Sequence, residues 1–346
     1  MIASNLSPAV RALSVAGAAV PGCVAVVVRG DELDVTCAGV RNIDTGGEVD
    51  EHTVFHLASV SKIFTSLTVL ALAQRRRVRL DERLEAQVAG LRFRDRRGAG
   101  ITVRQVLTHT AGMPDNHVWS WPVVRLDDDA PRAVVEAAND LPLIASPGER
   151  HAYSNIGFDL LAALVTSATE TAFEEAVRAE VLTPLGMTGS SLRLDEVRDR
   201  IAAPHVPHTF DPATFASAPM LAPREGDRTR VFTPYPFNRA RAAGGNVLAS
   251  GRDLARFLRS ALRGFPEILS PASWSEMSAR AVETGKAEPW YGLGLRVGHD
   301  TCGHGGLELG FRCGVQWRPS RGEAVGVLTN HFHGQTLDML RAALGS

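Results

Sequence analysis

Apolar positions alternate or run together in short stretches at both ends of this chain and recur at helical spacing between them. Residues 23–29 read Cys-Val-Ala-Val-Val-Val-Arg, a strand run. Gly30-Asp31 turns the chain and 33–40 returns, which predicts a hairpin. From residue 56 to about 190 the pattern is helical. Ile63 to Ala73 is apolar enough to be buried. Ile101 to Leu107 opens a helix with Thr102 as its cap, and 131–140 and 156–181 are helical again. Residues 203–238 are rich in Pro, Thr and Phe with weak periodicity, which predicts a long irregular segment. Ser250 or Gly251 starts a helix through Ala261. Strands are then expected at 291–297, 302–306, 311–317 and 323–330, with a closing helix at 335–344. Strands at both ends around a helical middle imply an α+β fold. One antiparallel sheet is built from both termini and flanked by terminal helices, with a mainly helical lobe inserted.

The N-terminal stretch changes the picture of location. Ala9 to Val20 is rich in Ala and Val, but the first basic residue, Arg11, lies inside it, whereas a secretory signal carries basic residues ahead of its apolar core. Leu6, Val10, Leu13, Val15 and Ala16 recur at helical spacing, so residues 8–18 read as an amphipathic helix capped by Ser7. No apolar run reaches the roughly 18–20 residues of a membrane span. A cytoplasmic protein without membrane contact is expected.

Composition narrows the class. The 346 residues are 45% hydrophobic and 22% charged, ordinary for a soluble enzyme, and a net charge of −1 gives no bias toward nucleic acid. Cys23, Cys37, Cys302 and Cys313 lack metal-ligand spacing and read as buried thiols. His331-Phe332-His333 alternates like some metal ligands, yet no partners accompany it. No metal or cofactor is called for.

Candidate chemistry centres on Ser59 and Lys62. They stand three apart at the head of the apolar helix, so their side chains can meet. A serine hydroxyl needs a base within hydrogen-bond reach, and a desolvated lysine can be one. Two further blocks accompany them: His151-Ala152-Tyr153-Ser154-Asn155, ahead of a long helix, and Gly303-His304-Gly305-Gly306, on an expected strand.

These three blocks resemble the S-x-x-K, Y-x-N and K/H-x-G motifs of the serine β-lactamase and penicillin-binding-protein superfamily. The likeness is to the branch of class C β-lactamases, D-alanyl-D-alanine carboxypeptidases and related esterases. Flanking stretches resemble it too, among them Leu107-Thr108-His109-Thr110-Ala111-Gly112, Ala243-Gly244-Gly245 and Tyr291-Gly292-Leu293-Gly294. The resemblance spans residues 8–345. It implies a single β-lactamase/transpeptidase-like catalytic domain over 1–346, with 1–55 and 241–346 in an α/β lobe and 56–240 in the helical lobe.

The resemblance also implies roles. Ser59 attacks an ester or amide carbonyl and is acylated. Lys62 and Tyr153 share the general-base work and titrate as a coupled pair. Asn155 binds the substrate's acyl side chain or orients Lys62. The backbone N–H groups of Ser59 and of Gly306 or Leu307 form the oxyanion hole, and Gly305 and Gly306 let substrate lie close to the strand. His304, mostly neutral near pH 7, holds a substrate carboxylate less firmly than the lysine of β-lactamases. Leu307 and Glu308 stand where many relatives have a small residue and a proline. Trp119, Trp121, Tyr235 and Phe237 could wall an acyl pocket. A serine hydrolase acting on a small-molecule ester or amide is expected. One alternative is an acyltransferase or thioesterase-like enzyme that passes the acyl group to an amine or alcohol. The other is a non-catalytic binding protein on this fold.

Overall fold

The computed structural model describes residues 20–115, 125–211, 228–233, 235–286, 289–332, 336 and 339–340. In chain order the elements are β1 (Gly22–Arg29), β2 (Glu32–Asn42), β3 (Gly46–Glu48), β4 (Val54–His56), α1 (Ser61–Gln74), α2 (Val103–Leu107), α3 (Ala130–Asn139), α4 (Asn155–Thr169), α5 (Phe173–Val177), β5 (His205–Pro207), β6 (Thr229–Val231), α6 (Ala242–Gly245), β7 (Leu248–Ser250), α7 (Gly251–Leu262), α8 (Pro271–Met277), β8 (Val282–Glu283), β9 (Trp290–Tyr291), β10 (Arg296–Val297), β11 (Cys302–Glu308), β12 (Phe311–Arg318) and β13 (Glu323–Thr329). Nine strands form one sheet in the order β3-β2-β1-β13-β12-β11-β10-β9-β8, antiparallel at every pairing. The first and last described strands, β1 and β13, are neighbours in it, where Cys23 pairs with Thr329 and Arg29 with Glu323.

The pleat sorts β1 into two faces. Val24, Val26 and Val28 join Leu254, Phe257 and Leu258 of α7 in the main core, together with Val315 and Trp317 of β12. Cys23, Ala25 and Val27 face the other way and pack with Val325, Val327, Met339 and Leu340. Helix α1 is buried from Ser61 through Leu72. Its apolar residues Ile63, Phe64, Leu67, Val69, Leu70 and Leu72 are spread around the helix rather than along one face, which explains its path through the core. Thr102 caps α2 as expected, and Gln105 reciprocates to complete a capping box.

Four expectations need correction. The run 291–297 is two short strands, because Gly294 takes φ +73° and its backbone N–H donates to Leu107 O. A side chain there would collide with Ser66 and the Lys62 carbonyl, so the turn needs glycine. The helix expected over 156–181 stops at Thr169, where Glu170 turns left-handed, and restarts at Phe173. The strand at 302–306 extends to Glu308. Within 203–238, β5 and β6 pair as a ladder. The helix over 8–18 lies outside the described residues, as do Trp119, Trp121, His333 and most of 335–344.

No single helix among the described residues is long and apolar enough to cross a membrane. All four cysteines are unpaired, three of them buried.

Candidate active site

The nucleophile turn is built against local preference. Ala58 has φ +45°, a left-handed conformation costly for a residue with a Cβ. Its backbone N–H donates to His56 Nδ1 at 3.0 Å, which holds the turn. Burial holds the His56 pKa down at about 3, so the ring stays a neutral acceptor there. Ser59 then lies in a 3-10 turn, Ala58–Val60, that feeds α1. The turn is also pinned from the sheet. Cys313 Sγ donates to Leu57 O at 2.8 Å, and a Cβ on Gly306 would fall 2.5 Å from that same oxygen and 3.1 Å from the Ala58 Cβ. Gly306→Ala is therefore expected to cost about 1–3 kcal/mol of stability and to displace the nucleophile. Chemical denaturation together with rates of active-site labelling checks this, and wild-type behaviour in both would contradict it.

The structure brings four of the expected residues together. Lys62 is fully buried, and its Nζ donates to Ser59 Oγ at 3.1 Å, Asn155 Oδ1 at 2.7 Å and Gly244 O at 2.8 Å. Tyr153 OH donates to Ser59 Oγ at 3.0 Å. The Asn155 and Gly244 oxygens can only accept. A neutral lysine would give its two N–H bonds to them and turn its lone pair toward Ser59 Oγ. The amine and the phenol thus flank one hydroxyl, and either can take its proton.

Helix α4 places the second block. Ser154 caps it, accepting from Gly157 N–H at 3.1 Å and donating to Pro114 O at 2.8 Å. Tyr153 precedes the cap and Asn155 follows it. The His109 Nδ1 accepts from Ser154 N–H at 3.1 Å, and the His109 carbonyl accepts from Ala152 N–H at 2.7 Å. His109 also lies against the Tyr153 ring, 4.1 Å between centroids. Burial first, then the nearby Lys62 charge, keep the His109 pKa well below 6.5.

One turn after Asn155, Asp159 accepts from Gly244 N–H at 3.0 Å and so tethers the residue whose carbonyl meets Lys62. Burial raises Asp159 to about 6 against the pull of Arg241, whose Nε lies 4.0 Å away. Asp115, which the sequence did not single out, accepts from the Asn155 side chain at 3.0 Å and from its backbone N–H at 3.2 Å. Forty positions separate the two residues, so no local pattern announces the contact.

The third block runs along β11. That strand pairs with β12 from Cys302 through Glu308, but with β10 only at Cys302 and Gly303. Residues 304–308 therefore have an unpaired edge among the described strands. Gly305, Gly306 and Leu307 lie on this stretch, and a Cβ on Gly305 would meet nothing within 4 Å. Backbone N–H groups alternate between strand edges, so one of Gly306 and Leu307 offers its donor at the open edge. The Leu307 side chain packs against a small cluster of Val206 and Phe332, which Phe210 and Phe232 also cover.

His304 is not free to receive a substrate group. It is 3% exposed. Its Nδ1 lies 2.6 Å from Gly305 O, which can only accept, so Nδ1 carries the proton. Its Nε2 then accepts from Tyr291 OH at 3.0 Å. Burial first, with the charges of Arg296 and Lys62 adding to it, keeps the ring neutral. His304 stands beside Tyr153, 6.3 Å between centroids, as part of the wall behind it. The expected acyl-pocket residues also separate. Tyr235 packs beside His56 and Phe311, whereas Phe237 joins a small cluster with Val54, Val197 and Leu248. Among the described residues no group of His, Cys, Asp and Glu is placed to hold a metal.

Glu308 is buried, and burial raises its carboxyl from 4.5 to about 7 against the charges of Arg241 and Lys62, with Asp159 adding to the rise. A carboxyl whose folded pKa is raised binds its proton more tightly folded than unfolded. Its contribution to stability is intact below pH 4.5 and is lost as pH climbs to about 7. Glu308→Gln should therefore gain in Tm over wild type as pH rises through that window. Melting curves of both proteins at about pH 5 and about pH 8 check this. An equal difference at both values would refute it.

A family model for beta-lactamase matches residues 10–345. Penicillin-binding protein 4 of Amycolatopsis lactamdurans is 26% identical over 328 residues, covering 90% of this chain and 81% of that protein. Protein flp of Staphylococcus aureus is 27% identical over 176 residues, half of this chain and 35% of that protein. Among solved structures, the octameric penicillin-binding protein homologue from Pyrococcus abyssi superposes with a TM-score of 0.79 at 23% identity. That match covers 97% of this chain and 75% of the other.

Proposed function

Since the chain belongs to the beta-lactamase family of serine hydrolases, we propose that it cleaves a small-molecule ester or amide through an acyl-enzyme on Ser59. The observation that carries this reading is the convergence of Lys62 Nζ and Tyr153 OH on Ser59 Oγ, at 3.1 and 3.0 Å. One of the pair takes the Ser59 proton as Oγ attacks the carbonyl carbon. The negative charge that develops on the carbonyl oxygen is met by the Ser59 N–H and a donor on the open edge of β11. The proton then passes to the leaving group, and water attacks the acyl-enzyme by the reverse path. Asn155 serves in holding Lys62. In this reading β11 offers its unpaired edge to the extended part of the substrate. The division into an α/β lobe (1–55, 241–346) and a helical lobe (56–240) belongs to the same proposal.

The neutral, internally bonded His304 argues for a substrate that needs no carboxylate anchor at that position. Simple esters and amides fit better than β-lactams. The apolar cluster around Leu307 favours a second reading, in which water is kept from the acyl-enzyme and an amine or alcohol captures the acyl group. A cytoplasmic location fits four cysteines that form no disulfide with one another. Cell fractionation tests it, and recovery outside the cytoplasm would refute it.

The deciding experiment is turnover of a panel of aryl esters and aryl amides, with and without an added amine. Ser59-dependent release of the aryl group is expected. Acylated amine in place of free acid would select the second reading. A folded protein that turns over none of them and gives no Ser59 adduct would overturn both and leave a binding protein.

A further inference from the structure

Asn155 stands between two groups of fixed hydrogen-bonding character. On one side is Lys62, whose Nζ gives an N–H to Asn155 and, when neutral, turns its lone pair to Ser59; on the other is the Asp115 carboxylate, which can only accept. An amide side chain has one end of each kind, and reversed it would face like with like on both sides. We propose that Asp115 is a positioning residue that locks the Asn155 amide so that its oxygen holds Lys62 against Ser59.

The inference deepens the proposed function and rests on it for its catalytic consequence, but the lock itself is geometric. The Asn155 backbone N–H points at the same Asp115 oxygen, 3.2 Å away. Two donors on one oxygen define where the acceptor must be. Lys62 cannot compensate for a turned amide. The helix α1 that carries it is buried, and its remaining acceptors are Gly244 O and the serine itself. Asp115 is exposed, so a substitution there opens no core cavity.

Three proteins test the lock: wild type, Asp115→Ala and Asp115→Asn. An asparagine at 115 must turn its oxygen toward the two donors, so it keeps the lock without the charge. Alanine keeps neither. The chain has two lysines, Lys62 and Lys286. Selective 13C-lysine labelling therefore gives one buried and one surface side-chain signal in an NMR spectrum. In Asp115→Ala the Lys62 signal should move while Lys286 stays. Labelling of Ser59 by a fluorophosphonate should slow by roughly ten- to hundredfold, as befits a charge-assisted hydrogen bond lost. Asp115→Asn should keep the wild-type Lys62 signal and label within about threefold of the wild-type rate. Melting temperatures should match in all three.

An unmoved Lys62 signal in Asp115→Ala would overturn the lock. So would an Asp115→Asn protein that behaves like the alanine variant, which would show that charge and not amide orientation matters. A moved signal in a protein whose wild type never labels would uphold the lock and refute the Ser59 chemistry.

Discussion

Ser59→Ala is expected to lose covalent capture by a fluorophosphonate completely and to lower turnover by roughly 10⁴-fold or more. No neighbouring group can replace the lost hydroxyl. Lys62 keeps its bonds to Asn155 Oδ1 and Gly244 O, so its buried Nζ keeps two partners. Tyr153 OH loses its acceptor and turns to solvent. The fold should therefore be unchanged, with the same far-UV spectrum and a Tm within a few degrees of wild type. Intact mass after labelling gives the direct reading: one adduct on wild type, none on the variant. An adduct on both would place the reactive group elsewhere, and turnover above a trace in the variant would sink the assignment.

Lys62→Met is expected to be nearly as severe, roughly 10³-fold in the rate of acylation, because it removes the amine whose lone pair can face Ser59. Methionine fills a similar volume, so the loss should not come from a cavity. It does strand the Asn155 and Gly244 oxygens, which should cost about 1–3 kcal/mol of stability. Tyr153→Phe separates the two members of the pair. The ring contact with His109 at 4.1 Å survives, and only the hydrogen bond to Ser59 is lost. If the amine and phenol act as a unit, the double variant should be little slower than the worse single one. Pre-steady-state release of an aryl leaving group measures all three. Losses that multiply in the double variant would show two independent contributions instead.

The resemblance made Ser59, Lys62, Tyr153 and Asn155 legible because their motifs are short and each sits at the start of a helix with its own signals. Thr102 reads as a cap in sequence and caps α2 in the structure. The sheet was legible where β-branched runs met turns, as in β1 and β13. It was not legible at 291–297, where apolar residues continue through a turn that only contact with Leu107 and Ser66 requires. The break at Thr169 was missed for a related reason: apolar spacing continues on both sides of a single left-handed residue, Glu170.

The fate of His304 shows where local reading ends. A histidine in a glycine-rich strand suggests an open side chain, yet Tyr291 and the strand's own carbonyl take both its nitrogens. Asp115 shows the same limit from the other side. Nothing near it in sequence marks it, and its importance comes from a partner forty positions away. By itself the sequence determined β1, β2, β11, β12 and β13, the main helices, the cap at Thr102 and the residue types able to do acyl chemistry, because these depend on neighbours within a few positions. Only the tertiary structure decided the open edge of β11, the sealed His304 and the three acceptors around Lys62. Those depend on the desolvation and orientation of groups that distant segments bring together.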